Sequence, residues 1–112
     1  MAVVAYLRVS TEKQFLENQR EEIIRFAEKN GLSIDRWYME TVSGKVSSKD
    51  RKLAGLLDRM KPGDSLIITE ISRLSRTLLE IMTILNSCIK RGVVLYSTKE
   101  GYVFQNDINS KV

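Results

Sequence analysis

Histidine is absent from the chain, and cysteine and proline occur once each. Without an imidazole there is no Ser-His-Asp triad and no histidine-bound metal centre. The single thiol, Cys88, has no partner for a disulfide within the chain and reads as a reduced, buried core residue. No apolar run approaches the roughly 20 residues that span a bilayer, and no secretory leader opens the chain, so a cytoplasmic protein without membrane contact is expected. Carboxylates are not clustered, which argues against a two-metal nuclease centre. Internal repeats, low-complexity segments and linkers are missing too. The 112 residues are expected to form one domain that buries about two-thirds of its unfolded surface.

What is present is an alternation of strand and helix signals. Val3 to Val9 is an apolar run suited to a strand buried on both faces. Leu16, Ile23, Ile24 and Ala27 then recur at helical spacing until Gly31 supplies a stop. Leu32 to Met39 reads as a second strand, interrupted by Asp35 and Arg36, and Ser43 to Asp50 as a polar loop. Leu53, Leu56, Leu57 and Met60 mark one face of a short helix that ends in the turn Lys61-Pro62-Gly63-Asp64 before a strand over Ser65 to Thr69. Leu78, Met82, Leu85 and Ile89 are assigned to the inner face of a longer helix that stops at Gly92, followed by a strand over Val93 to Ser97. Strands alternating with helices predict a three-layer α/β fold: four mainly parallel strands flanked by helices, with Tyr102 to Phe104 as a candidate short fifth strand at the edge.

Two strand ends carry chemistry. Side chains alternate along a strand, so Arg8 and Ser10 project to the same side where the chain leaves the sheet, the usual ligand position in an open α/β sheet. A second junction carries Ser72-Arg73-Leu74-Ser75-Arg76, with Thr77 and Glu80 spaced as a capping box for the next helix. In a parallel sheet both junctions lie at one edge, so Arg8, Arg73 and Arg76 are placed to converge on one anion. Guanidinium groups match phosphate oxygens and stay charged at any working pH. The plainer reading is that Ser10 and Thr11 begin a turn, with Thr11 and Gln14 as a capping box, and that the arginines are a solvated cluster.

These residues resemble the serine site-specific recombinases, the resolvases and DNA invertases. The resemblance rests on Tyr6-Leu7-Arg8-Val9-Ser10-Thr11 with Gln14 and Gln19, on Ser43-Gly44 followed by Asp50-Arg51-Lys52, and on Arg73-Leu74-Ser75-Arg76. It implies that Ser10 attacks a DNA phosphodiester, leaving a phosphoserine link to the 5′ end and a free 3′ hydroxyl, with no cofactor, metal or ATP. Arg8, Arg73, Arg76 and Arg51 would bind the scissile phosphate and its transition state, and Gln14, Gln19 and Ser43 would support them. With no histidine, activation of a serine hydroxyl falls to guanidinium electrostatics. Many members carry an Asp where this chain has Ser72, which leaves the general acid or base unassigned.

Charge placement fits a DNA partner. Between Ser43 and Lys61 there are six basic residues against two acidic, an excess equal to that of the whole chain. Lys45, Lys49 and Lys52 are the candidates for DNA backbone contact, whereas Arg59 and Lys61 read as the wet face of a helix. The stretch from Asn106 to Val112 looks like the approach to a helix, with Asn109 or Ser110 as its cap. The resemblance implies a catalytic domain over residues 1–112, truncated before a long dimerisation helix and a C-terminal helix-turn-helix domain. Such a fragment is expected to be weakly active alone, and the full-length protein to work as a dimer or tetramer on double-stranded DNA. A serine transposase, or a regulatory DNA-binding remnant without chemistry, remains an alternative.

Overall fold

A computed structural model of the chain describes residues 2–9, 13–41, 52–75 and 77–105. The elements are β1 (Val3–Val9), α1 (Lys13–Lys29), β2 (Arg36–Thr41), α2 (Lys52–Arg59), β3 (Ser65–Ile68), a 3-10 turn (Ile71–Arg73), α3 (Leu78–Arg91), β4 (Val94–Ser97) and β5 (Tyr102–Phe104). They build one sheet of order β2-β1-β3-β4-β5. The first four strands are parallel, and β5 runs antiparallel to β4. The expected three-layer α/β fold with a short fifth edge strand is the fold observed.

Alternation along the strands sorts the core into two layers. Val4, Tyr6, Leu66, Ile68 and Leu95 face α2 and α3, where they meet Leu53, Leu56, Leu57 and Cys88. Ala5, Leu7 and Ile67 face the other way and pack with Ile23 of α1, flanked by Phe26, Trp37 and Tyr96. A sheet with helices on both sides needs strands apolar on both faces, and β3 is buried at all four positions. Cys88 is fully buried, as expected of a core thiol.

Three sequence assignments shift. The second strand begins at Arg36, not Leu32, and continues past Met39 to Thr41. Leu32 belongs to the end of α1: Gly31 takes a left-handed conformation (φ 69°), and the Leu32 amide turns back to donate to Ala27 O at 2.8 Å. In α1 the inward row holds Ile23, Phe26 and Ala27, while Ile24 is exposed. In α3, Leu78 and Met82 are not on the inner face. They are 74% and 58% exposed, and the row that meets the sheet is Ile81, Ile84, Leu85 and Cys88. Both rows of α3 are apolar at helical spacing, so periodicity fits either.

The helix ends are as their sequences demand. Thr77 caps α3, its hydroxyl accepting from Glu80 N at 3.3 Å. Gly92 closes it at φ 76°, with Pro62 so near that a Cβ there would lie 3.2 Å from the proline Cβ. Gly63 N donates to Gly92 O at 2.9 Å, which ties the turn before β3 to the turn before β4. Among the described residues, no helix is long and apolar enough to cross a membrane.

Candidate active site

The strand order reverses between β1 and β3. From β1 the chain steps to β2 on one side, and the later strands add on the other. The helices must therefore leave on opposite faces, and their divergence opens a crevice at the carboxyl ends of β1 and β3. Arg8 stands at the end of β1, and the 3-10 turn Ile71–Arg73 follows β3, so both elements singled out by sequence border this crevice.

Arg8 links them directly. It is half-buried on the α2–α3 face, and its Nη1 donates to Ser72 O at 3.4 Å. The turn is anchored by the residue that follows it: Leu74 is fully buried in the core, and its amide donates back to Ile71 O at 3.0 Å. Ser75 is buried as well, and its hydroxyl donates to the Glu80 carboxylate of α3. Two buried residues in succession thus fix the backbone between the arginines at 73 and 76. An apolar anchor followed by a polar one is what Leu74-Ser75 supplies.

Glu40 borders the candidate site and is not among the sequence candidates. It is the register partner of Arg8 across β1 and β2, it is buried, and its Oε1 accepts from the Tyr6 hydroxyl at 2.7 Å. Tyr6, also fully buried, lies on the same face two residues before Arg8. The end of the sheet therefore carries a buried carboxylate, held by the Tyr6 hydroxyl, on the strand next to the one that bears Arg8. The signal was the alternation of the second strand. The apolar pattern ends the strand at Met39, one residue short of Glu40, whereas the strand continues to Thr41.

The remaining sequence candidates divide as follows. Gln19 is buried on α1, one turn before Ile23 on the row that faces the sheet, which suits a supporting role rather than contact with solvent-borne ligand. The backbone places Gln14 in the first turns of α1, Lys52 at the start of α2 and Arg73 in the 3-10 turn. Ser10, Ser43, Lys45, Lys49, Arg51 and Arg76 lie outside the described residues, as does the Asn106–Val112 stretch. Ser72 is exposed, and its hydroxyl donates to Glu70 Oε2 at 3.0 Å. Arg59 and Lys61 are exposed, with Arg59 Nε returning to Gly55 O in its own helix at 3.2 Å.

Known proteins share both the sequence and the fold. The chain is 45% identical over 82 residues to the transposon Tn2501 resolvase of Escherichia coli, covering 70% of this chain and 40% of that protein. It is 29% identical over 101 residues to a resolvase of Clostridium perfringens, covering 90% and 51%. The DNA-invertase hin of Salmonella typhimurium is 27% identical over 97 residues, covering 87% and 47%. The chain thus spans about half the length of these curated relatives, or less. In fold it resembles the N-terminal catalytic domain of TP901-1 integrase, with a TM-score of 0.73 at 20% identity over 92% of this chain and 81% of that one. A resolvase family site-specific recombinase from Streptococcus pneumoniae superposes with a TM-score of 0.72 at 23% identity, covering 97% and 80%. The family described as "Resolvase, N terminal domain" matches residues 3–111, and with that match the chain belongs to the resolvase family of serine recombinases.

Proposed function

We propose that the chain carries the catalytic centre of a site-specific recombinase that cuts and rejoins double-stranded DNA through Ser10. The observation that carries this reading is the Arg8–Ser72 contact, which joins the two arginine-bearing strand ends at the crevice of the sheet. A phosphate seated there meets the guanidinium of Arg8 at the edge where the backbone also delivers Arg73.

In the proposed reaction, the Ser10 oxygen attacks phosphorus, a serine–phosphate bond to the 5′ end forms, and the bond to O3′ breaks, releasing a 3′ hydroxyl. One phosphoester replaces another, so rejoining is the reverse attack by a 3′ hydroxyl and needs no ATP. Arg8, Arg73, Arg76 and Arg51 neutralise the charge that grows on the phosphoryl oxygens, and no divalent metal is required. Gln14, Gln19 and Ser43 support the serine and its surroundings, and Lys45, Lys49 and Lys52 follow the DNA backbone. Synapsis of two DNA sites needs a dimer or tetramer of the full-length cytoplasmic protein, so residues 1–112 by themselves cut weakly.

The test uses the intact protein and a supercoiled plasmid carrying the DNA that flanks its coding sequence. A protein–DNA adduct that survives denaturant, forms in the presence of chelator and disappears in Ser10→Ala while DNA binding persists is the expected result. An adduct formed equally by Ser10→Ala, or cleavage only with added magnesium, defeats the reading.

A further inference from the structure

The Ile71–Arg73 turn has no side-chain cap at its N-terminus from the residue that precedes it. Glu70 stands at its N-cap position with extended backbone (φ −142°, ψ 147°) and makes no side-chain cap hydrogen bond. The first amide of the turn, Ile71 N–H, donates instead to the Glu100 carboxylate, 3.2 Å from Oε1 and 3.5 Å from Oε2. Glu100 lies in the turn between β4 and β5, and its carboxylate also accepts from the fully buried Ser97 hydroxyl.

The same β4–β5 turn reaches the segment at further points. Thr98 N donates to Ile68 O and Lys99 N to Thr69 O, each at 2.9 Å. Lys99 Nζ pairs with Glu70 Oε1 at 2.8 Å, while the other Glu70 oxygen accepts from Ser72 Oγ. A three-residue 3-10 turn has poor hydrogen-bond geometry of its own and takes its placement from what surrounds it. A carboxylate acceptor on its first amide is the constraint that bears on the turn's own N-terminus.

We propose that Glu100 is a positioning residue for the candidate phosphate site: it holds the Ile71–Arg73 turn against the sheet edge and, through the Ser72 carbonyl, sets the guanidinium of Arg8. The inference rests on the function proposed above. Glu100 does not touch the reacting phosphate. It acts on the placement of two groups that do, and displacement by about 1 Å is enough to slow a reaction by about two orders of magnitude.

Two measurements test it. In the intact protein, Glu100→Ala should slow adduct formation at saturating plasmid by about tenfold or more while the DNA dissociation constant stays within about twofold. Glu100→Gln, which keeps an acceptor oxygen, should restore most of the rate. An unchanged rate in Glu100→Ala, or a loss confined to DNA affinity, overturns the proposal. Hydrogen exchange at the Leu74 amide, which closes the turn onto Ile71 O, reads the placement of the turn without any activity. It should accelerate in Glu100→Ala and not in Glu100→Gln, and equal protection in Glu100→Ala and the parent protein overturns the proposal. If neither protein forms an adduct, the recombination reading has failed, and Leu74 exchange alone decides the positioning.

Discussion

The Tyr6 hydroxyl donates to Glu40 Oε1 at 2.7 Å inside the sheet end, and Glu40 is the register partner of Arg8. The phenol and the carboxylate thus bond across two adjacent strands, next to the strand position that carries Arg8. Because Tyr6 and Glu40 are both buried, water cannot replace a lost partner. Tyr6→Phe keeps the ring and removes only the donor. It should destabilise the chain by about 1–3 kcal/mol, read as a lower urea midpoint at unchanged slope. An unchanged midpoint would show that Glu40 is satisfied without the phenol.

Arg8 stands at the end of β1 and donates to the Ser72 carbonyl of the second strand end. Arg8→Ala in the intact protein should slow adduct formation by about 10²–10³-fold, the range for losing one preorganised charge-stabilising group. Arg8→Lys should recover only part of this, because an ammonium lacks the planar fork that spans two phosphate oxygens. Full activity in Arg8→Lys would mean that charge alone is needed there. Circular dichroism of both variants checks that the fold is kept.

Burial pushes the Cys88 thiol up to about 11, against a smaller opposing pull from Arg91. Alkylating reagent at pH 8 should leave the folded chain unmodified and label it once urea unfolds it. The same shift has a stability consequence. The unfolded thiol ionises from its ordinary value of 9.0 while the folded one holds its proton to about 11, so this contribution to stability is complete below pH 9 and falls as pH rises through that window. Cys88→Ala should remove this component of the alkaline loss, and titration curves of identical shape for the two proteins would contradict it.

Gly92 satisfies two demands at once: a left-handed φ of 76° and the close approach of Pro62. Gly92→Ala meets both penalties and should cost about 1–3 kcal/mol in thermal or urea unfolding. Gly31→Ala, at φ 69° with nothing within 4 Å, meets only the backbone penalty and should cost less. Equal losses would assign the whole effect to φ.

Acidic pH should weaken the base of the sheet. Asp64 accepts from the Ala2 and Lys61 amides, and these two bonds, Ala2 first, hold its carboxyl below the ordinary 3.8. A depressed folded value stabilises the chain above the unfolded value and is lost as pH falls through the folded one. Asp64→Asn should therefore show a shallower loss of stability below pH 4 than the parent chain. An identical acid limb in both proteins would rule out this contribution.

The layered fold and the placement of Arg8 were legible because they depend on patterns local in sequence: apolar runs for buried strands, Gly31 and Gly92 as stops, Thr77 as a cap. Where two apolar stripes overlapped, local pattern was insufficient. Leu78 and Met82 fit a helical face as well as Ile81 and Ile84 do, and only packing on the sheet selects one. Leu32 failed for a related reason: an apolar residue after a helix-ending glycine can close the helix or open the next strand, and the bond to Ala27 O chose the first.

The sequence by itself determined the strand–helix order, the two arginine-bearing strand ends and the exclusion of histidine chemistry, because each follows from residue type and spacing. Tertiary structure alone decided the Arg8–Glu40 register, the Tyr6 hydroxyl beneath it and the Glu100 carboxylate on the Ile71 amide. Those partners are 29 to 34 residues apart. Their meeting depends on which strands become neighbours, a property of the closed sheet that no local window contains.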